Sequence, residues 1–152
     1  GTEAQLHDVT SRIFHMTAAT RSEVTQRNVL AGQGHGVFQG KFYVAQAAQK
    51  TDAYMRCENL LLSDNAKMDQ KPELEIYADD VKCSHGSTTG QLDETALFYL
   101  RARGLSAASA KNLLLQAFME DVLTYIKHEE VLNYIHQRVA DRFNWSYEAK
   151  SK

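Results

Sequence analysis

The sequence predicts a mainly β chain with a helical tail, and three observations lead there. First, the stretch from Lys71 to Leu105, KPELEIYADDVKCSHGSTTGQLDETALFYLRARGL, changes its hydrophobic period halfway along. Second, strand-like segments centred on Phe42, Leu60 and Ile76 recur at steps of 18 and 16 residues with polar bends between them. Third, two apolar stripes of helical spacing follow Ser106 without a proline, the only one in the chain being Pro72. A repeated strand unit that cannot bury its apolar side alone suits the stacked coils of a parallel β-helix. The expected division is residues 1–91 as the last coils of a β-helix and residues 92–152 as a small C-terminal α-helical domain.

The first thirty residues carry short apolar alternations, with Val9, Ile13, Val24, Val29 and Leu30 separated by small polar residues, and predict two or three strands. GQGHG then reads as a turn containing His35. VFQGKFYVA and DAYMRCENLLLS follow with strand composition. No Asn-Gly or Asp-Gly pair separates these segments, which argues against a simple antiparallel meander. Leu74, Ile76 and Ala78 alternate with Glu73, Glu75 and Tyr77, as expected of a strand with one buried face. Asp79 and Asp80, being adjacent, point to opposite sides and read as turn or solvated residues rather than an acid and base pair.

After Gly90 the period lengthens. Leu92, Ala96, Leu97 and Leu100 fall three to four apart, with Asp93 and Glu94 early and Arg101 and Arg103 late, charges that suit the two ends of a helix dipole. Gly104 is placed to end that helix as its C′ residue. Ser106 caps the next, whose stripe runs through Ala110, Leu114, Phe118, Val122 and Tyr125. A third follows on Val131, Leu132, Ile135, Val139 and Phe143.

Composition narrows the function. The 152 residues carry a formal net charge of −2, which offers no general attraction to nucleic acid or to an anionic membrane surface. No run of eighteen apolar residues is present, and GTEAQLHDV at the amino end lacks the pattern of a secretion signal. Two cysteines, Cys57 and Cys83, are too few for a disulfide framework. There is no nucleophile elbow, Walker lysine or HExxH motif.

Among side chains that carry chemistry, Cys83 and His85 stand two apart in an extended stretch. Both therefore leave one face, with Lys82 and Ser84 on the other. A thiolate and an imidazole bind iron or zinc, yet two donors cannot close a tetrahedral site, so the pair reads either as structural or as part of a shared ligand set. Cys57, beside an apolar run and Met55, reads as core. His128 and His136 read as surface residues of the helical tail, while His7 and His15 stay unassigned.

The runs KPELEIYADDVKCSHG and GQLDETALFYLRARGL, with the upstream GVFQGKFYVAQAAQKTDAYMRCENLLLSDNAKMD, resemble the SufD branch of the SufB/SufD family of SUF iron–sulfur cluster assembly subunits. The resemblance covers roughly residues 28–105, and it places the chain near the C-terminus of a longer protein. It implies a right-handed parallel β-helix core and a non-catalytic scaffold role in a complex with the sister subunit SufB and the ATPase SufC. It further implies that His85, in the Cys-Ser-His-Gly motif, and with it Cys83, meets a nascent cluster or iron at the SufB interface. The isolated chain would then hold no cluster. The helical domain would dock SufC, with Leu97, Leu100, Leu114 and Phe118 as candidate contacts. A cytoplasmic place is implied, or the plastid stroma in a plant or alga, and a homodimer is possible for the chain alone. Two other readings stay open: a β-helix carbohydrate-active enzyme, which needs a groove lined with carboxylates or basic residues, and a metal-free, self-associating β-helix module.

Overall fold

A computed structural model describes residues 4–143. The chain divides into two compact units, residues 1–91 and 92–152.

The first unit holds six strands: β1 (Leu6–His15), β2 (Arg21–Leu30), β3 (His35–Val44), β4 (Asp52–Leu61), β5 (Lys67–Ile76) and β6 (Lys82–Gly90). The expected parallel β-helix is not formed. The strands make two separate three-stranded parallel sheets, in the orders β1-β3-β5 and β2-β4-β6, and among the described residues neither is closed or wound into a solenoid. The sequence step counts strands but cannot say which ones pair. Here Leu6 pairs with His35, Arg21 with Asp52, His35 with Lys67 and Asp52 with Lys82, offsets of 29, 31, 32 and 30 residues. Every ladder therefore skips one strand, and consecutive strands lie in different sheets.

The core lies between the sheets. Phe38 and Phe42 from β3 meet Ala53, Met55 and Cys57 from β4, with Ile13, Val24, Met68, Leu74 and Cys83 packed around them. β3 alternates strictly and β4 does so as far as Asn59, because each has a neighbour on both sides. The alternation predicted for β5 is only partly kept: Leu74 packs on the core and Ala78 is buried just beyond the strand, but Ile76, on a strand with only one neighbour, is 38% exposed. Gly36 and Gly40 sit among the inward positions of β3. A Cβ on Gly40 would collide with the Met55 thioether and press on the Phe38 ring, so the missing side chain makes room for the core of the facing sheet.

Two polar networks are sealed into this unit. The buried His15 ring places Nδ1 2.7 Å from Thr20 Oγ1 and Nε2 2.8 Å from Ser22 Oγ, with its edge against Phe42. Burial holds the imidazole below its ordinary pKa. The fold therefore favours the neutral ring, and the stability this confers is complete above the ordinary imidazole range and lost as the pH falls through it. We expect the melting temperature of the wild type to fall between pH 7.5 and pH 5.5 by several degrees more than that of His15→Asn; parallel curves would show that His15 is not the titrating group. The second network is a ladder along β2, β4 and β6. Asn28 Nδ2 donates to Asn59 Oδ1 at 2.6 Å, and Asn59 Nδ2 donates to the Thr88 carbonyl at 2.8 Å.

The second unit is helical: α1 (Glu94–Ala102), α2 (Ala107–Leu123) and α3 (Glu129–Phe143). Asp93 caps α1 by accepting from the Thr95 and Ala96 amides, and Ser106 caps α2 by accepting from the Ser109 amide. Gly104 follows α1 at φ +95°, and the Leu105 amide reaches back to the Leu100 carbonyl, closing the helix end as expected of a C′ glycine. The Arg103 guanidinium lies 4.4 Å from the centre of the Tyr99 ring. The buried faces are narrower than the predicted stripes. Ala110, Leu115 and Ala140 are buried, whereas Tyr125 and Val131 are exposed. His136 is not a surface residue: its side chain is only 10% exposed and its Nε2 stands 3.0 Å from Glu120 Oε1.

Candidate functional site

The register of β6 against β4 decides which way the Cys-Ser-His-Gly motif points. Ala53 pairs with Cys83, Met55 with His85, Cys57 with Ser87 and Asn59 with Thr89. The four β4 residues are buried, so their partners face the same inward side. β6 ends its sheet, and no further strand among the described residues lies over that row. Cys83 is half-buried against the core, while His85, Ser87 and Thr89 are exposed. The expectation that Cys83 and His85 share a face agrees with this register. The reason an inward-facing imidazole is nonetheless open to other molecules is its place on an edge strand.

β5 ends the other sheet and presents Met68, Gln70, Pro72 and Leu74 on the matching side. Gln70 joins the two edges. Its Nε2 donates to Thr89 Oγ1 at 2.8 Å, and its Oε1 accepts from Ser87 Oγ. Sequence reasoning missed this bracing, since Gln70, Ser87 and Thr89 carry no motif; the only signal was that they flank the Cys-Ser-His-Gly run.

Burial pushes the Cys83 thiol up from its ordinary pKa and the charge of Asp52 adds to that, against a hydrogen bond with the Ala53 backbone. By itself the group stays a thiol near neutrality and must lose its proton to become a ligand. No cluster of three or more His, Cys, Asp or Glu side chains suited to a metal occurs among the described residues. Cys83 and His85 supply two donors, and any four-coordinate site here needs the rest from outside the described residues.

The other candidates lie elsewhere. Cys57 is buried, with Asn28 Nδ2 3.7 Å from its sulfur and its own thiol donating to Asn59 Oδ1, and burial pushes its pKa up, the signature of a core thiol. His35 opens β3 rather than sitting in the turn, and its Nε2 lies 2.7 Å from Asp69 Oδ2. His7 is exposed on β1. In the helical unit Leu97 is buried and Leu100, Leu114 and Phe118 are half-buried, whereas Phe98 is 72% exposed.

A shallow cleft on the outer face of β1-β3-β5 is lined by Arg12, Lys41, Lys71, Glu73 and Glu75, with Phe14 and Tyr43 at one end. Lys41 Nζ closes on Glu73 at 3.2 Å and on Glu75 at 2.5 Å. The Lys41 ammonium, helped by the Tyr77 hydroxyl, holds the Glu75 carboxyl below the usual range. Both Glu73 and Glu75 are thus paired with the one Lys41 ammonium.

Residues 1–118 match the family described as SUF system FeS cluster assembly, SufBD core domain. The chain is 37% identical over 135 residues to the iron–sulfur cluster assembly protein SufD of Escherichia coli, covering 89% of this chain and 32% of that protein. It is 46% identical over 106 residues to a SufBD family iron–sulfur cluster assembly protein of Synechocystis, covering 70% of this chain and 23% of the relative. A chloroplastic protein of Arabidopsis thaliana is 36% identical over 129 residues, 84% of this chain and 27% of its own length. The chain thus spans about a third or less of the curated relatives it matches.

Proposed function

The chain belongs to the SufBD core family of the SUF iron–sulfur cluster assembly system, and from that premise we propose that it is a non-catalytic, SufD-type scaffold element on which clusters are built together with SufB and the ATPase SufC. One observation carries the reading: the inward row of β6 lies on an uncovered edge, so His85 is open to a second polypeptide while its sheet neighbour Met55 is sealed. Iron and sulfide are cargo at this seam. His85 contributes an imidazole nitrogen and Cys83, once deprotonated, a thiolate, and SufB contributes the remaining ligands. Two donors do not retain a cluster, so the chain alone is expected to hold none. The braced edges formed by Gln70, Ser87 and Thr89 keep the row in place for the partner.

The helical unit is the proposed dock for SufC, with Leu97, Leu100, Leu114 and Phe118 shaping it. Among the described residues no helix is long and apolar enough to cross a membrane. The bacterial and chloroplastic relatives support a place in the bacterial cytoplasm or the plastid stroma.

The test is reconstitution of the complete protein with SufB and SufC. His85→Ala is expected to lower bound iron and sulfide about tenfold or more, as loss of a ligand does, while the three subunits still copurify. An unchanged cluster yield would take His85 out of the site; loss of copurification would make it a packing residue.

A further inference from the structure

The cleft on the outer face of β1-β3-β5 takes no part in the cluster reading, and the fold leaves its charges unevenly matched. Its volume is about 270 Å³, and Arg12, Phe14 and Lys71 in its walls are exposed, so a solute has both room and access. Both carboxylates of the cleft, Glu73 and Glu75, are held by the Lys41 ammonium. The side chains of Arg12 and Lys71 make no ion pair or hydrogen bond among the described residues.

The two unmatched cations border the same space. Arg12 lies on β1 and Lys71 on β5, one inward residue out of row with each other and with β3 between them. Neighbouring strands about 4.8 Å apart put the two backbones about 10 Å from each other, a span that both long side chains can close upon one oxyanion. The row that holds Lys71 adds Gln39 and Thr10, uncharged hydrogen-bonding groups, and no carboxylate. Phe14 stands two residues beyond Arg12 on the same side of β1, about 7 Å along the strand. Its ring is 59% exposed and packs against Tyr43 at 5.7 Å, and Tyr43 in turn meets Tyr77 at 5.5 Å. An apolar aromatic row thus stands open to water beside a cation without a counter-charge.

We propose that this cleft binds a small organic oxyanion carrying a flat apolar ring, with the ring on Phe14 and Tyr43 and the phosphate or carboxylate head between Arg12 and Lys71. The guanidinium offers the head a fork of N–H donors, the ammonium adds a point charge, and the aromatic pair supplies a face for stacking. The volume favours a small molecule over the surface of another protein. Ligand sites of about 300–1,000 Å³ take drug-sized molecules, and this cleft, just under that range, has room for one ring and its head group. It lies on the sheet that does not carry Cys83 and His85, so it stands or falls apart from the cluster reading.

Titration of the isotopically labelled chain with phenyl phosphate, with phenylacetate and with inorganic phosphate, at constant ionic strength, tests this. The readout is the backbone amides of Gln39 and Gly40, which line the cleft. At least one ring-bearing anion is expected to shift them saturably and to bind about tenfold or more tightly than inorganic phosphate; the one that saturates first identifies the preferred head. Arg12→Gln and Lys71→Gln are each expected to weaken its binding about tenfold, the effect of losing one charged hydrogen bond. Phe14→Ala is expected to bring it down to the affinity of inorganic phosphate. Lys67→Gln removes an exposed cation that stands outside the cleft and is expected to change nothing. Shifts that never saturate, equal affinity for ring-bearing and inorganic anions, or the same loss in Lys67→Gln as in Lys71→Gln would overturn the site. All four substituted side chains are exposed, so every variant is expected to keep the dispersed spectrum of the folded chain; should one lose it, the other three decide the matter.

Discussion

Phe42→Ala is expected to remove about 3–5 kcal/mol of stability from the strand unit, the range for truncating a large buried aromatic side chain. Phe42 is wholly buried and stands at the middle of the β1-β3-β5 sheet, paired with Ile13 on one side and Leu74 on the other. It packs in the same cluster as Ala53, Met55 and Cys57 of the facing sheet, and its ring meets the edge of His15. Truncation leaves a cavity that two central strands cannot close, because each is held by a ladder on both sides. Phe42→Leu, which keeps most of the volume, is expected to cost less than about half as much. Urea denaturation followed by circular dichroism gives both values. A loss of under about 1 kcal/mol for the alanine variant would mean that the two sheets do not share this core.

Asn59→Leu is the second large effect, and it arises from polar rather than apolar loss. Leucine has the same number of side-chain heavy atoms and the same branching, so no cavity forms. What disappears is the acceptor for Asn28 Nδ2 and for the Cys57 thiol, together with the donor to the Thr88 carbonyl. At about 1–3 kcal/mol for each buried group left unmet, with the flexible Cys57 contributing least, a total near 3 kcal/mol is expected. Adding Asn28→Leu should restore part of it, since the second substitution removes the stranded donor. If the double variant were less stable than the sum of the two single losses, the ladder would not be the source of the effect.

Much of this architecture was legible in the residues, and the misses share a cause. The strands around Phe42 and Leu60 read clearly because β3 and β4 are central and bury one side completely. β1 was harder, because its Leu6 and Phe14 stand on the outer face of the sheet and are exposed while His15 is buried. Nothing in the local sequence marks His15 as an interior residue, because Thr20 and Ser22, which satisfy its ring, lie beyond the following bend. The pairing of each strand with the next but one was not legible either, since a repeat length carries no information about partners. That is why the anticipated solenoid gives way to two separate sheets. At the candidate site the shared face of Cys83 and His85 followed from the period of two. The contrast between a half-buried thiol and an open imidazole did not, because it depends on where the sheet stops.

The skipped pairing has a consequence for how the chain is made. Among the described strands β1 and β2 do not pair, and the partner that β1 has in this unit, β3, leaves the ribosome only about thirty residues later. No hairpin joins consecutive strands among the described residues, so every strand ladder is sequence-distant, a topology that folds slowly. The nascent polypeptide therefore carries bare strand edges for a long interval, and crowding or a shortage of chaperones should reduce the yield of native protein well before it affects molecules already folded.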